Sequence, residues 1–156
     1  MKSRLNLNEI APGATKAMLG LEAYIAQCKL ERSLIELVKM RASQINGCAF
    51  CIDMHSKDAR AAGETEQRLY CLDAWREAPF YSDRERAALA WAEELTLVHE
   101  RHVPDEIFEQ VRRQFTDDEI ADLTLIVATI NAWNRIAISL RAVPGSYQPA
   151  REHAAA

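Results

Sequence analysis

Three side chains suited to redox and acid–base chemistry lie close together in the stretch NGCAFCIDMHSKDARAAGE, residues 46–64. Cys48, Cys51 and His55 occupy positions i, i+3 and i+7 of this stretch. Residues at these spacings share one face of an α-helix. The spacing therefore predicts two sulfur atoms and an imidazole aligned over the first two turns of a helix.

The predicted position of the dithiol, at the start of that helix, favours its reactive form. Asn46-Gly47 interrupts the chain, which makes Asn46 the predicted cap of a helix over residues 48–62. The positive end of the helix dipole favours thiolate over thiol. His55 can carry protons because imidazole titrates near neutral pH. Together these features favour a redox-active dithiol with a proton relay.

Two other interpretations of the cysteines stay open. Zinc binds Cys-x2-Cys with histidine, but a structural zinc site needs four ligands. The remaining histidines, His99, His102 and His153, are predicted in a helix end, a loop and a polar tail, and there is no second CxxC. Alternatively, both cysteines are small core residues, which is the interpretation favoured for Cys28 and Cys71 on apolar helical faces.

Helical periodicity extends over most of the chain, punctuated by glycines and prolines. Capping-box sequences open two segments, at Ser82 to Glu85 and at Thr116 to Glu119. No stretch alternates with period two for long enough to predict a sheet. The predicted fold class is all-α with about seven helices, over residues 14–28, 32–44, 48–62, 65–77, 82–97, 104–115 and 116–140.

Composition restricts the class of protein. The 156 residues fit one domain, with 49% hydrophobic and 27% charged residues and a net charge of −4. The absence of a basic block argues against nucleic acid as a partner, and the longest apolar run, Leu123 to Trp133, argues against a membrane. The N-terminus lacks a signal-peptide core. We therefore expect a cytoplasmic protein, in which a structural disulfide would be rare.

The segment from Leu123 to Ala132 is apolar nearly all round. Such a helix must be covered on every side, and a domain of this size seldom supplies enough other helices. We expect part of it to form a subunit interface. The alternative is a central core helix.

Glu36 is the candidate for a carboxylate that orients His55. It lies within the apolar stretch Leu34-Ile35-Glu36-Leu37-Val38, and carboxylates are seldom buried without a partner. Helical spacing alone also allows Glu36 to face solvent near Lys39. The residues do not decide between these orientations.

Glu36, Cys48, Cys51, His55 and Gly63 together resemble the active-site signature of the AhpD-like alkylhydroperoxidases, in which the spacing E-x11-CxxC-x3-H is specific. These proteins belong to the carboxymuconolactone decarboxylase superfamily. The resemblance extends over roughly residues 10–143. It implies a single AhpD-like domain over residues 1–156 with a polar tail at 144–156, and a helical subunit that forms homo-oligomers, often trimers or hexamers.

The resemblance also implies a peroxidase cycle without haem, flavin or metal, and therefore no cofactor. Cys51 would be the peroxidatic thiolate that attacks a hydroperoxide, and Cys48 the resolving thiol that closes the disulfide. His55 and Glu36 would be the proton relay, with Glu36 facing inward. An external dithiol, small molecule or protein, would restore both thiols.

Phe50 departs from the pattern of well-studied AhpD proteins, which have histidine immediately before the second cysteine. One imidazole next to the thiol is therefore missing. This favours, as an alternative, a redox-responsive adaptor that exchanges disulfides with a protein and turns over little peroxide. Family members that decarboxylate carboxymuconolactone lack the CxxC, which argues against that activity. Core packing is the favoured role of four aromatic residues that can also line a pocket: Phe80, Tyr81, Trp91 and Trp133.

Overall fold

The computed structural model describes residues 2–149, apart from the side chain of Arg101, and every regular element in that part of the chain is helical. The predicted all-α class is confirmed. Residues 150–156, including His153, lie outside the described residues. The helices are α1 Leu7–Ile10, α2 Pro12–Ile25, α3 Arg32–Asn46, α4 Ala49–Ala61, α5 Glu66–Tyr70, α6 Asp83–Thr96, α7 Val98–Arg101, α8 Asp105–Arg112 and α9 Asp117–Leu140, with a 3-10 turn at Leu72–Ala74.

The segment predicted as one helix over residues 65–77 is instead α5 followed by the 3-10 turn. The guanidinium of Arg86 in α6 donates hydrogen bonds to the backbone carbonyls of Trp75, Arg76 and Ala78. These carbonyls are satisfied by a side chain from another helix, so the segment need not continue as a helix to pair them. The short α1 and α7 were not predicted, because four residues are too few to show periodicity.

Both predicted capping boxes are present. Ser82 Oγ accepts from the backbone N–H of Glu85, and the Glu85 carboxylate accepts from the N–H of Ser82. Thr116 and Glu119 make the same reciprocal pair at the start of α9. These caps satisfy backbone donors that have no partner inside the helix, and they fix where the core helices α6 and α9 begin.

Helix α3 lies at the centre of the fold and packs against α4, α6 and α9. Its side chains Leu37 and Val38 are fully buried and belong to two separate apolar clusters. One cluster lies between α3, α6, α8 and α9, and the other between α3, α4, α5 and α6. Because α3 contributes to both, its orientation fixes that of α4, which carries the cysteines.

Helix α9 packs against α2, α3, α4, α6 and α8, and buries Ile126, Val127 and Ile130. It is nevertheless not covered on all sides. A stripe of small and apolar residues is half-buried or exposed in the subunit: Ala121, Leu125, Ala128, Ala132 and Ile136. One side of the helix is therefore core, and the other side is open in the subunit; whether a second subunit covers it stays a prediction.

The length of α9 also bears on the membrane. At 24 residues it is, among the described residues, one helix long and apolar enough to span a bilayer, a test that the core helix of a soluble protein passes as well. The apolar run Leu123 to Trp133 therefore underestimated the length of the helix, and the length of α9 gives no argument against a membrane. In this fold α9 carries the buried amides of Asn131 and Asn134, hydrogen-bonded to α3. That is the arrangement of a packed core helix.

Candidate active site

A tight turn between α3 and α4 positions the cysteines. Gly47 ends α3 in the left-handed conformation (φ 68°, ψ 31°), which favours glycine because it has no Cβ. The backbone N–H of Cys48 then donates to the carbonyl of Ser43 at 3.0 Å. This glycine-ended turn reverses the chain so that α4 begins directly beside the end of α3.

Asn46 is not the cap of α4, as the sequence suggested, but the last residue of α3. Its side-chain amide donates to Asn131 Oδ1 at 2.9 Å and Asn134 Oδ1 at 2.8 Å, both on α9. The cap of α4 is Cys48, whose Sγ accepts from the backbone N–H of Cys51 at 3.3 Å. The asparagine therefore anchors the turn to the core, and the first sulfur atom takes the capping role.

Cys48 and Cys51 are joined by a disulfide. Both are buried, at 1% and 2% exposure. Cys51 lies in the first turn of α4, where backbone N–H groups without helical partners give positive potential that stabilises a thiolate once the bond is reduced. The two sulfur atoms are thus within bonding distance of each other and enclosed by protein.

The imidazole of His55 lies one turn further along α4 and contacts Glu36 of α3. His55 Nδ1 and Glu36 Oε2 are 2.9 Å apart, and the two side chains are 5% and 12% exposed. Glu36 therefore faces inward. Lys39, which was its possible partner in solvent, is itself buried and binds Glu22 Oε2 at 2.6 Å.

His55 Nε2 is buried and makes no hydrogen bond. Its ring lines a cavity of about 500 Å³ together with Cys51 and Glu36. A second buried polar atom without a partner, Thr15 Oγ1 on α2, belongs to a residue lining the same cavity. The other walls are largely apolar and include Leu19, Phe50, Met54, Ile130 and Trp133. A small organic molecule that enters this cavity lies against Cys51 and against His55, whose Nε2 has no hydrogen-bond partner.

The donor atoms do not complete a metal site with the cysteines, whose sulfur atoms are bonded to each other. Within the described residues, one oxygen each of Glu36 and Asp58 and one nitrogen of His55 lie within 4.8 Å of one another. His55 Nδ1 is already hydrogen-bonded to Glu36. The group consists of two carboxylates and an imidazole, and Glu36 and His55 are hydrogen-bonded to each other within it.

A model of the carboxymuconolactone decarboxylase family matches residues 12–94, which run from the start of α2 into the last turn of α6 and include all four predicted site residues. The chain belongs to this family. Its CxxC pair and its solved relatives place it among the AhpD-like members.

Two relatives share most of the length of this AhpD-like chain. The protein YdfG of Bacillus subtilis is 50% identical over 140 residues, which are 90% of this chain and 95% of YdfG. The structure of ATU0492 of Agrobacterium tumefaciens, a protein of unknown function described as an antioxidant defence protein of the AhpD type, has a TM-score of 0.91. It is 43% identical, with 94% of this chain and 100% of that chain covered.

A more distant relative shows that other chemistry uses the same fold. The debrominase Bmp8 superposes with a TM-score of 0.74 at 22% identity, over 86% of this chain and 73% of its own. At that identity the likeness shows the fold alone. The fold therefore does not specify the reaction, which must be argued from the site.

The four predicted site residues come together in the AhpD-like fold: the cysteines are bonded to each other, and His55 is bonded to Glu36. Of the aromatic residues, Trp91 and Tyr81 are buried in the core, whereas Trp133 lines the cavity. Cys28 and Cys71 are free and half-buried, and each packs against an apolar cluster. His99 is exposed in α7, and His102 follows that helix.

Two functional candidates were missed. Asp58 lines the cavity beside Glu36 and His55, and its position three residues after His55 was a signal that it shares their face. Lys39 was considered only as a surface partner of Glu36. Its buried ion pair with Glu22, which also accepts from Trp133 Nε1 at 3.0 Å, joins α2, α3 and α9 around the cavity. That pairing leaves no trace in sequence spacing.

Proposed function

We propose that this chain is a thiol peroxidase that reduces hydrogen peroxide or organic hydroperoxides through Cys51 and Cys48. One observation carries the proposal: the sulfur of Cys51 and the unpartnered Nε2 of His55 belong to residues lining one cavity. The reaction needs a thiolate nucleophile and a proton donor next to the same peroxide bond. This site supports both.

Each turnover takes two electrons from the two cysteine thiols, and an external dithiol replaces them. The Cys51 thiolate attacks one peroxide oxygen, the O–O bond breaks, and His55 gives a proton to the departing alkoxide. The Cys48 thiol then displaces water from the Cys51 sulfenic acid, and the disulfide forms. An external dithiol reduces the disulfide. Both electrons come from sulfur, so the proposed cycle uses no cofactor.

Glu36 is the proposed orienting group of this relay. A carboxylate that accepts from Nδ1 fixes the ring and leaves Nε2 free to face the substrate. It also stabilises the protonated imidazole that must donate. The 2.9 Å contact and the low exposure of both side chains support this role.

The test is consumption of cumene hydroperoxide in the presence of a dithiol such as dithiothreitol, with three variants. Cys51→Ser should abolish consumption. Cys48→Ser, reduced and then freed of dithiol before the peroxide is added, should allow one turnover to a sulfenic acid that a dimedone-type probe detects. Cys71→Ser, a free cysteine outside the cavity, is the control and should keep wild-type turnover. Consumption that persists without Cys51 would falsify the proposal.

A redox-responsive adaptor remains the second candidate because Phe50 stands where a second imidazole would assist peroxide reduction. In that case Cys48→Ser should trap a protein partner as a mixed disulfide while peroxide turnover stays negligible. The burial of both cysteines favours the peroxidase, since a protein thiol has less access than a small peroxide.

We further propose a homo-oligomer, with a trimer or hexamer as the family implies, in which a second copy covers the open stripe of α9. The partners would be a hydroperoxide, a dithiol reductant and other copies of the chain. We also propose that the chain is a single AhpD-like domain in the cytoplasm and that neither nucleic acid nor a membrane is a partner.

A further inference from the structure

The last described residues of the chain bind the outer side of α4. The backbone N–H of Gly145 donates to Asp53 Oδ2 at 2.9 Å, and Lys57 Nζ donates to the carbonyl of Tyr147 at 3.1 Å. The hydroxyl of Tyr147 donates to Asp58 Oδ1 at 2.7 Å. The segment 145–147, expected to be part of a polar tail, is therefore fastened to the helix that carries the cysteines.

The last of these contacts leads into the candidate site. Asp58 lines the cavity, and its carboxylate lies within 4.8 Å of the nearest Glu36 oxygen and His55 nitrogen. Tyr147 is therefore hydrogen-bonded to a carboxylate that lies close to the Glu36–His55 pair. Two carboxylates, Glu36 and Asp58, are thus close to one imidazole, and Glu36 is the one hydrogen-bonded to it.

In the proposed peroxidase cycle, the ring of His55 must carry a proton when the peroxide bond breaks. His55 gives up a proton when the alkoxide leaves, and it takes one back from the Cys51 thiol once the dithiol has reduced the disulfide. Its ring is 4% exposed, so bulk water does not reach it freely. A nearby negative charge favours this transfer, because it stabilises the protonated ring relative to the neutral one.

We propose, on the basis of the peroxidase function above, that Asp58 is a second carboxylate of the relay and that Tyr147 holds it in place. Both are positioning residues, since they act on His55 and touch no reacting atom. Asp58 supplies negative charge beside the imidazole, and the Tyr147 hydroxyl orients that charge. The C-terminal segment is thereby part of the site.

The electrostatics of Tyr147 agree with this role. Burial raises the pKa of Tyr147 to about 12, assisted by its hydrogen bond to Asp58 and by the charges of Asp58 and Glu36, while Arg32 acts in the opposite direction. The phenol therefore stays protonated and remains a donor at neutral pH.

The other charged groups around the cavity are paired with each other. Glu22 of α2 binds Lys39 of α3, and Asp53 and Lys57 bind each other on α4. The α9 residues lining the cavity, Ile130, Trp133 and Ala137, do not titrate in the neutral range. Glu36 and Asp58 are thus the acidic groups nearest His55, and removing one should change its titration measurably.

The first readout is the NMR titration of the His55 ring in the reduced protein, which needs no peroxide. Asp58→Asn should lower the pH at which the ring loses its proton by at least about half a unit, the effect of one charge at 4.8 Å even at the dielectric constant of water. Asp58→Glu restores the charge and should restore most of the titration. This second variant also tests whether a loss comes from misfolding.

The second readout is the single-turnover rate of disulfide formation with cumene hydroperoxide. Tyr147→Phe should slow it by about 2- to 10-fold, the worth of one hydrogen bond, and should have no further effect in the Asp58→Asn protein. The matched control is the other tyrosine–aspartate pair, Tyr24 and Asp122, bonded at 2.8 Å outside this cavity. Tyr24→Phe and Asp122→Asn should leave both readouts at wild-type values.

The outcomes separate the two proposals. A wild-type protein that consumes peroxide, with an Asp58→Asn titration equal to wild type, overturns the role of Asp58 and leaves the peroxidase standing. A wild-type protein that consumes no peroxide overturns the peroxidase and the relay that rests on it, whatever the titration shows. Additive effects of Tyr147→Phe and Asp58→Asn overturn the claim that Tyr147 acts through Asp58.

Discussion

Replacing Glu36 by Gln tests how much of the site's chemistry depends on charge. Glutamine keeps the length of the side chain and an oxygen that can accept from His55 Nδ1, but it removes the negative charge. The contact is 2.9 Å long between side chains that are 5% and 12% exposed, so water screens it little. The substitution therefore separates orientation of the ring from stabilisation of its protonated form.

The magnitude follows from ordinary hydrogen-bond energies. A bond to a charged group contributes about 1.5–3 kcal/mol and a neutral bond about 0.5–1.5 kcal/mol. The difference, about 1–1.5 kcal/mol, corresponds to roughly a 10-fold slower proton-donating step. Glu36→Ala removes the whole contact and leaves the ring unoriented, so we expect roughly a 100-fold loss, within the range for a general acid.

The assay is a rapid-quench measurement of disulfide formation. Reduced protein is mixed with cumene hydroperoxide, free thiols are alkylated at short times, and the mass shift gives the single-turnover rate. Glu106→Gln, an exposed glutamate in the first turn of α8, is the matched control and should behave as wild type. Wild-type rates for Glu36→Gln across pH 5 to 8 would refute the charge argument. Equal losses for Gln and Ala would show that orientation alone matters.

Two further predictions concern how the site is built. Gly47→Ala should reduce the free energy of unfolding, measured by urea denaturation, by about 1–2 kcal/mol, because a residue with a Cβ is strained at φ 68° even where no atom lies nearby. Gly20→Ala inside α2 has the same free space and should not destabilise the protein. Ala128→Arg on the open stripe of α9 should lower the sedimentation coefficient by breaking the proposed oligomer, whereas Ala61→Arg at the exposed end of α4 should not. A wild-type protein that is monomeric at micromolar concentration would contradict the proposed interface.

The part of the site that follows from local spacing was predictable. Helical geometry alone aligned Cys51 with His55, and a glycine after asparagine marked the turn before α4. The inward orientation of Glu36 was not decided by its own helix, because its partner lies nineteen residues away on α4. Only the family resemblance favoured that orientation, and the structure has it.

The parts that sequence reasoning missed depend on contacts between distant segments. Asn46 looked like a helix cap because asparagine before a helix commonly caps it. Its amide is instead taken by Asn131 and Asn134, 85 and 88 residues along the chain. Tyr147 stands in a polar segment with no periodicity, 89 residues from Asp58. No local pattern specifies such pairs, since each requires the packed fold to bring the partners together.

The departure at Phe50 and the orphaned nitrogen of His55 have a common consequence. Phe50 contributes an apolar wall where other AhpD proteins have a second imidazole, which leaves His55 the sole histidine among the residues lining the cavity. In the proposed cycle, the proton that leaves Cys51 and the proton that reaches the alkoxide are both carried by this one ring. A ring that carries both protons needs nearby groups that stabilise its protonated form and fix its orientation, and Glu36 and Asp58 are carboxylates close to it. The loss of one histidine therefore makes the proposed peroxidase more dependent on its carboxylates, which the graded Glu36 variants measure directly.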